Sequence, residues 1–337
     1  MRLNAAFLLQ ERGSMHIDVI LAQMGKLFLL LMLGVVLAKV GILDVHTKQK
    51  LTKLLLYVTT PMMMIDAFHD RMLMVSEQAD SGGLGVGTLF AYCFAFYLIL
   101  IVLSLLIAYG IRTPKKDRRL YIFMTIFGNV GFMGFPVVSA VFGTEGLFYA
   151  AILNSVFNIF VYTFGVVLMG GAGSDENAKT AEQLRSIPWK KLLLTPAVLC
   201  TAVGVLIFVF RIRMPALLAD TCDTLGGLTS PLAMLVVGAN LNGMKGKDML
   251  TNMRLNLYVL LRQIALPLVF WVVIRLIVNH PVLTPTLLLL SCMPVANTTA
   301  LFATEYGGDE HLASQGIFLT TLFSLVSFPL LMWICLR

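Results

Sequence analysis

Charge is what this sequence has little of. Asp, Glu, Lys and Arg make up 13% of its 337 residues, about half the share usual in soluble domains. Hydrophobic residues reach 58%. Too few polar side chains are present to clothe soluble domains, which excludes an ordinary soluble enzyme, a secreted disulfide scaffold and a disordered chain. Cysteine is sparse as well: Cys93, Cys200, Cys222, Cys292 and Cys335 lie mostly in apolar runs with no C-x-x-C spacing, which argues against a zinc cluster. The five histidines are dispersed, and no H-E-x-x-H, Walker or G-x-S-x-G pattern occurs. The expectation is a membrane protein that is not an enzyme, with no catalytic residues, no metal and no cofactor.

What is present is a series of apolar runs. A helix crossing the hydrocarbon needs roughly 20 mostly apolar residues, and ten segments qualify: 17–39, 50–68, 85–109, 119–142, 145–169, 192–212, 217–241, 255–279, 283–304 and 312–336. The first 16 residues carry only a short apolar stretch, too little for a secretory signal core; Met15 is a second candidate start alongside Met1.

The net charge of +7 raises the question of nucleic acid, and the placement of the charges answers it. Loops after spans 1, 3, 5 and 7 hold sixteen lysines and arginines, five of them (Arg112, Lys115, Lys116, Arg118, Arg119) between spans 3 and 4. The opposite side holds six. Basic residues collect on the cytoplasmic side, so both termini are predicted to be extracytoplasmic in a bacterial cytoplasmic membrane, and no nucleic-acid partner is needed. The acidic stretch Glu305, Asp309, Glu310 runs mildly against this, being placed inside.

The longest polar stretch begins at Gly170 and divides the spans five and five. The predicted organisation is an extracytoplasmic segment 1–16, a first repeat 17–169, a cytoplasmic linker 170–191 and a second repeat 192–337. An odd number of spans per half makes the repeat inverted. An offset of 170 residues carries Thr59-Thr60-Pro61 onto Thr229-Ser230-Pro231 and Gly146-Leu147-Phe148 onto Gly316-Ile317-Phe318.

Span 4 contains Asn129-Val130-Gly131-Phe132-Met133-Gly134-Phe135-Pro136, and span 9 contains Met293-Pro294-Val295-Ala296-Asn297-Thr298. Glycine costs about 1 kcal/mol and proline about 3 in a helix interior, so both spans are predicted to be interrupted near their middles. Unwound backbone at membrane depth survives only where protein or a water-filled cavity satisfies it, and matched interruptions in two repeats point to a transport site. Half-helix N-termini there favour an anion, especially a carboxylate, with Asn129 and Asn297 supplying amide donors. Pro61 and Pro231 read as kinks in spans 2 and 7.

Ten spans, a central hydrophilic loop and the G-N-V-G-F-M-G-F-P and M-P-V-A-N runs resemble the auxin efflux carrier family, which includes plant auxin transporters and bacterial carriers associated with malonate. The resemblance covers residues 17–336. It implies an all-α fold of ten transmembrane helices in a 5+5 inverted repeat, similar to NhaA-type antiporters and bile-acid transporters, with helices 4 and 9 crossing at the site. It further implies a scaffold, a moving domain in an elevator-like cycle, and a homodimer as a compatible state. Asn129, Gly131, Pro136 and Pro294 match its crossover motif; the long cytosolic loop of the plant proteins is missing.

Charges within spans are candidates by default, because they are expensive there. Arg262 in span 8 is a candidate clamp for a carboxylate, with snorkelling as its bland alternative. Lys26 and Asp66 are candidates for coupling to a proton or sodium. Asn154 and Asn158, four residues apart on one helix face, are candidate pathway-lining residues. The candidate substrate-binding set is Asn129, Gly131, Gly134, Pro136, Pro294, Asn297, Thr298 and Arg262.

The functional expectation is a secondary transporter of small organic anions, mono- or dicarboxylates, working by alternating access in a lipid bilayer. The alternatives are a cation/proton or sodium-coupled bile-acid-type carrier on the same architecture, against which stands the lack of an acid in either broken segment, and a ligand sensor without transport.

Overall fold

A computed structural model describes residues 17–77, 85–170, 196–241 and 252–335. Residues 1–16 and 171–195, which hold the predicted N-terminal segment and nearly all of the predicted linker, lie outside the described residues.

Among the described residues every regular element is helical. The chain runs through α1 (Ile17–Lys39), α2 (Val45–Leu54), α3 (Thr60–Glu77), α4 (Val86–Gly110) and α5 (Lys115–Ile126). It continues with α6 (Phe135–Phe160), α7 (Val166–Gly170), α8 (Pro196–Val209), α9 (Ala216–Gly227) and α10 (Thr229–Leu241). The remaining helices are α11 (Met253–Leu260), α12 (Leu266–Ile277), α13 (Leu283–Ser291), α14 (Thr298–Glu305) and α15 (Glu310–Cys335). Among the described residues six helical stretches, taken through their kinks, are long and apolar enough to cross a bilayer: Val45–Leu73, Val86–Gly110, Val130–Gly170, Ala216–Asn240, Met253–Ile277 and Glu310–Cys335.

Several junctions are π-helical turns, and proline explains three of them. Leu55–Thr59, Val130–Gly134 and Leu261–Ala265 each lie two residues before a proline, namely Pro61, Pro136 and Pro267. A proline at position i lacks the N–H that would bond the carbonyl at i−4, and its ring collides with that carbonyl. In each case residue i−4 is the middle of the widened turn: Tyr57, Phe132 and Gln263. Widening to a π turn keeps the helix continuous while relieving the collision. At Pro231 the outcome differs: position i−4 is Gly227, where α9 ends, and the chain breaks at Leu228 before α10. The expected kinks at Pro61 and Pro231 therefore take two forms. A fourth π turn, Val161–Gly165, has no proline; Thr163 Oγ1 instead donates to the Ile159 carbonyl at 2.5 Å.

Within Phe135–Phe160 the helix turns sharply at Gly143, whose φ of 61° and ψ of −151° are open essentially to glycine alone. That point separates the stretch after the span-4 break from the next pass, close to the boundary expected between spans 4 and 5.

Packing falls into two groups. α1 lies along α10, and α3 lies against α8 and α9. In the first contact a Cβ on Gly238 would overlap the Leu31 carbonyl oxygen and sit 2.8 Å from its carbon; one on Gly34 would lie 2.9 Å from the Leu235 carbonyl carbon. These two backbones therefore touch. In the second contact Gly204 abuts the Phe68 ring. The other group surrounds α13: α6 and α12 flank it, α14 packs on α15, and α15 packs on α11 and the π turn after it. An aromatic cluster of Phe123, Phe127, Phe157 and Phe302 fills this second group, with ring centroids 4.5–5.6 Å apart.

Candidate functional site

α13 has nine residues and α14 eight, so each is only about 12–14 Å long at 1.5 Å per residue. Each reaches less than halfway through a hydrocarbon layer of about 30 Å. Between them lies the run Cys292–Asn297, and between α5 and the π turn at Val130 lies Phe127–Asn129. These two extended segments meet. Asn129 N–H donates to the Pro294 carbonyl at 2.7 Å, and Ala296 N–H donates to the Phe127 carbonyl at 3.0 Å. Together they form an antiparallel bridge between Gly128 and Val295. Each interruption thus supplies backbone partners for the other, which is what unwound chain needs in an apolar interior. The Val295 N–H is taken up by Thr320 Oγ1 of α15 at 3.1 Å.

Gly128 sits at the pinch. A Cβ there would lie 3.2 Å from Arg262 Nη2 and 3.3 Å from the Met293 carbonyl, so a larger residue would push the two segments apart. Gly134 has a similar duty, because a Cβ there would come within 2.8 Å of Leu290 Cδ2 on α13.

Asn129 caps the turn that follows it: its Oδ1 accepts from Phe132 N–H at 3.1 Å, and its carbonyl accepts from Gly134 N–H at 3.0 Å. The side-chain amide nitrogen has no partner among the described residues. On the other strand, Asn297 precedes α14 without a side-chain cap bond. In the first turn of α14, Thr298 Oγ1 and Thr299 Oγ1 are enclosed and unpartnered. The two paired segments are thus followed by the N-terminal ends of the helical stretch that begins at Val130 and of α14, with the Asn129 amide on one segment and the two threonine hydroxyls just after the other. Those groups are donors, and together they suit an anionic ligand with several oxygens.

The remaining predicted residues divide between those near this point and those away from it. Gly131 faces Asn154, whose Oδ1 lies 4.0 Å from where a Gly131 Cβ would be. Asn158 Nδ2 donates to the Asn154 carbonyl at 2.7 Å. Pro136 and Pro294 are buried at the crossing. Arg262 is fully buried, and its guanidinium is engaged with backbone: Nη1 donates to the Ser291 carbonyl at 2.8 Å and Nη2 to the Met293 carbonyl at 3.1 Å. Asp66 lies half-buried on α3, and Lys26 is exposed on α1; neither reaches the bridge.

A small apolar cleft of about 50 Å³ lies where α1, α10, α15 and the crossing meet. Leu27, Leu31 and Met234 line one wall; Met133, Val137 and Met293 line the other.

Two features escaped the sequence reading. One is Thr320, whose signal is a pair of threonines (Thr320-Thr321) in an otherwise apolar helix. The other is a polar cluster away from the crossing. Arg71 of α3 pairs with Glu145 at 3.0 Å, Tyr149 donates to the same Glu145 oxygen at 3.1 Å, and His280 Nε2 lies 3.5 Å from the Tyr149 hydroxyl. His280 Nδ1 accepts from the N–H groups of Val282 and Leu283, so it caps α13. Partial burial lowers the His280 pKa, with Arg71 acting in the same direction and Glu145 against it.

Comparison with known proteins finds transporters among the chain's relatives. An uncharacterized transporter of Methanocaldococcus jannaschii is 27% identical over 230 residues, covering 66% of this chain and 70% of that protein. An uncharacterized transporter of Methanothermobacter thermautotrophicus is 25% identical over 313 residues, covering 90% and 95%. A Rhizobium meliloti protein named "Putative malonate transporter" is 22% identical over 232 residues, covering 67% and 71%. A family model described as membrane transport protein matches residues 19–332. The chain is a multi-pass membrane protein and belongs to this membrane transport protein family, that of the auxin efflux carriers.

Proposed function

We propose that this protein is a secondary transporter of small organic anions, mono- or dicarboxylates, that binds them at the crossing of the two interrupted helices. The observation that supports the reading is the reciprocal pairing of residues 127–129 with 294–296, with Asn129 in one segment, the unpartnered Thr298 and Thr299 hydroxyls just after the other, and no acid in either. The malonate name attached to the Rhizobium relative supports the same substrate class.

In this reading ten spans form two inverted halves, 17–169 and 192–337, with both termini outside a cytoplasmic membrane. Packing supports the repeat: the 170-residue offset carries Gly34 onto Gly204 and Phe68 onto Gly238, so the α1–α10 contact and the α8–α3 contact are images of one another. The unit built on α1, α3, α8, α9 and α10 is the scaffold, and the crossing rides on the other unit along the apolar cleft between them. Asn154 and Asn158 line the path, a proton or sodium is the coupling ion with Asp66 and Lys26 as its candidate residues, and a homodimer is the assembly.

The test is charge movement by the purified protein in liposomes on a solid support. Mono- and dicarboxylates are presented with and without sodium and a pH step, and labelled substrate covers electroneutral exchange. Saturable transport of a carboxylate is expected. Asn129→Ala removes both the cap acceptor and the free amide donor, and its apparent affinity is expected to fall by at least tenfold; full transport by a folded Asn129→Ala protein overturns the site.

A further inference from the structure

We propose that Arg262 sets the charge preference of the crossing from outside the ligand's first contacts, making the site favour anions in proportion to their charge. The inference rests on the organic-anion reading and names the group that imposes it.

Four helix ends converge at the crossing. The carbonyl ends of α5 and α13 each carry about −0.5 of a charge, and the amide ends at Val130 and Thr298 each carry about +0.5. Left alone, these contributions cancel. No Asp, Glu, Lys, Arg or His occurs in 127–134 or 291–298, so side chains of the two segments do not break the tie. The charge that reaches them comes from the neighbouring span. Arg262 is 1% exposed and lies in the π turn Leu261–Ala265, which Pro267 induces. One terminal nitrogen grips the last carbonyl of α13, at Ser291, the other the Met293 carbonyl just beyond it, and Nη2 lies against Gly128 of the opposite segment.

No carboxylate pairs with this guanidinium among the described residues, and its Nε is enclosed without a partner. An uncompensated buried cation is costly. Here it neutralises the negative end of α13 and leaves the two amide ends as the unopposed charge. A guanidinium suits the task because its planar fork serves two carbonyls at once. Engaged in this way it acts as a positioning residue, holding the bend of span 9 and supplying field rather than contact. Gly128 is the matching feature, since any side chain there would displace either Nη2 or the Met293 carbonyl.

A fixed charge has a signature that a staple lacks: its effect on a ligand grows with the ligand's own charge. A unit charge about 10 Å away, at an effective dielectric of about 20, changes the affinity of a monoanion by roughly tenfold, and that of a dianion by roughly a hundredfold. The probes are malonate and monomethyl malonate, with succinate and monomethyl succinate as a second pair. They share a skeleton within each pair and differ by one charge at pH 8. Binding to the full-length protein in nanodiscs is measured by calorimetry.

Arg262→Gln is expected to weaken the esters about tenfold and the diacids about a hundredfold. Arg262→Lys, which keeps the charge but loses the fork, is expected to weaken both members of a pair by the same few-fold factor and so to preserve the wild-type ratio. An equal loss for diacid and ester in Arg262→Gln makes the residue a staple and overturns the proposal. If Arg262→Gln does not fold, Arg262→Met, which also removes the charge, decides by the same ratio: a larger loss for the diacids supports the proposal and an equal loss overturns it. Wild-type protein that binds none of the four probes overturns the organic-anion reading and this inference together; wild-type binding with an unchanged ratio in Arg262→Gln overturns this inference alone.

Discussion

A methyl group added to Gly238 puts the architecture to a steric test. The new Cβ would overlap the Leu31 carbonyl oxygen, lie 2.8 Å from the Leu31 carbonyl carbon and 3.1 Å from Val35 N. All three opposing atoms are backbone of α1, which has no rotamer with which to step aside. Relief requires α1 and α10 to part by about an ångström. Overpacking of this kind costs about 1–3 kcal/mol, and the widened gap forfeits a quarter to a half of each dispersion contact along the seam. Leu31 and Met234 are among the buried residues on that seam. The expected total is about 3 kcal/mol, which at roughly 2–4 °C per kcal/mol lowers the melting temperature by about 6–12 °C. The assay is a thermal melt in detergent, followed by size exclusion. The comparison that makes it sharp is a series. Gly34→Ala also meets backbone, at Leu235, and should behave like Gly238→Ala. Gly204→Ala meets only the Phe68 ring, which can turn, and should lose less. Gly25→Ala has no atom within 4 Å and should be neutral or slightly stabilising, since alanine is the better helix former. Equal melting of Gly238→Ala and Gly25→Ala would refute the close seam, and with it the scaffold assigned to this pair.

Two further predictions concern the polar cluster at Tyr149. Arg71→Met and Glu145→Gln, singly and together, form a double-mutant cycle on the melting temperature; the pair is partly exposed at 17% and 26%, so a coupling of about 0.5–1 kcal/mol is expected, weakening with salt. Strict additivity would mean that the pair holds nothing between α3 and α6. His280, facing Tyr149, Glu145 and Arg71, has a lowered pKa in the fold, so between that value and the unfolded 6.5 the unfolded chain binds the extra proton. Its contribution to stability is present above about pH 6.5 and is lost as the pH falls below it. His280→Asn keeps an acceptor at the head of α13 but does not titrate, and its melting temperature should fall less than the wild type's on going from pH 7.5 to 5; parallel curves would exclude this role.

The readability of this protein from its sequence follows the physics of each feature. The interruptions were legible because glycine and proline in an apolar run contradict helix propensity locally, within eight or nine residues. The pairing of the interruptions was not: the 170-residue offset aligns Gly128 with Thr298, whereas the bridge joins Gly128 to Val295. Register between two unwound strands is set by backbone donors and acceptors, which every residue carries alike. The π turns stand between these cases, since a proline well inside an apolar run marks the i−4 carbonyl that must yield, yet Pro231 answers with a break instead.

Arg262 shows the same limit from the side of charge. A cation inside a span announces a purpose, and a carboxylate clamp was the natural expectation. Its actual partners, the Ser291 and Met293 carbonyls, have no sequence signature, because any residue at the end of a nine-residue half-helix exposes the same oxygen. Arg71, Glu145, Tyr149 and His280 are ordinary residues far apart in sequence, with 131 positions between Tyr149 and His280 alone. Folding turns them into a cluster only because Gly143 redirects the chain and α13 begins beside it. In this protein the places where a helix must stop can be read one segment at a time, while whatever those stops are for depends on which other stop they meet.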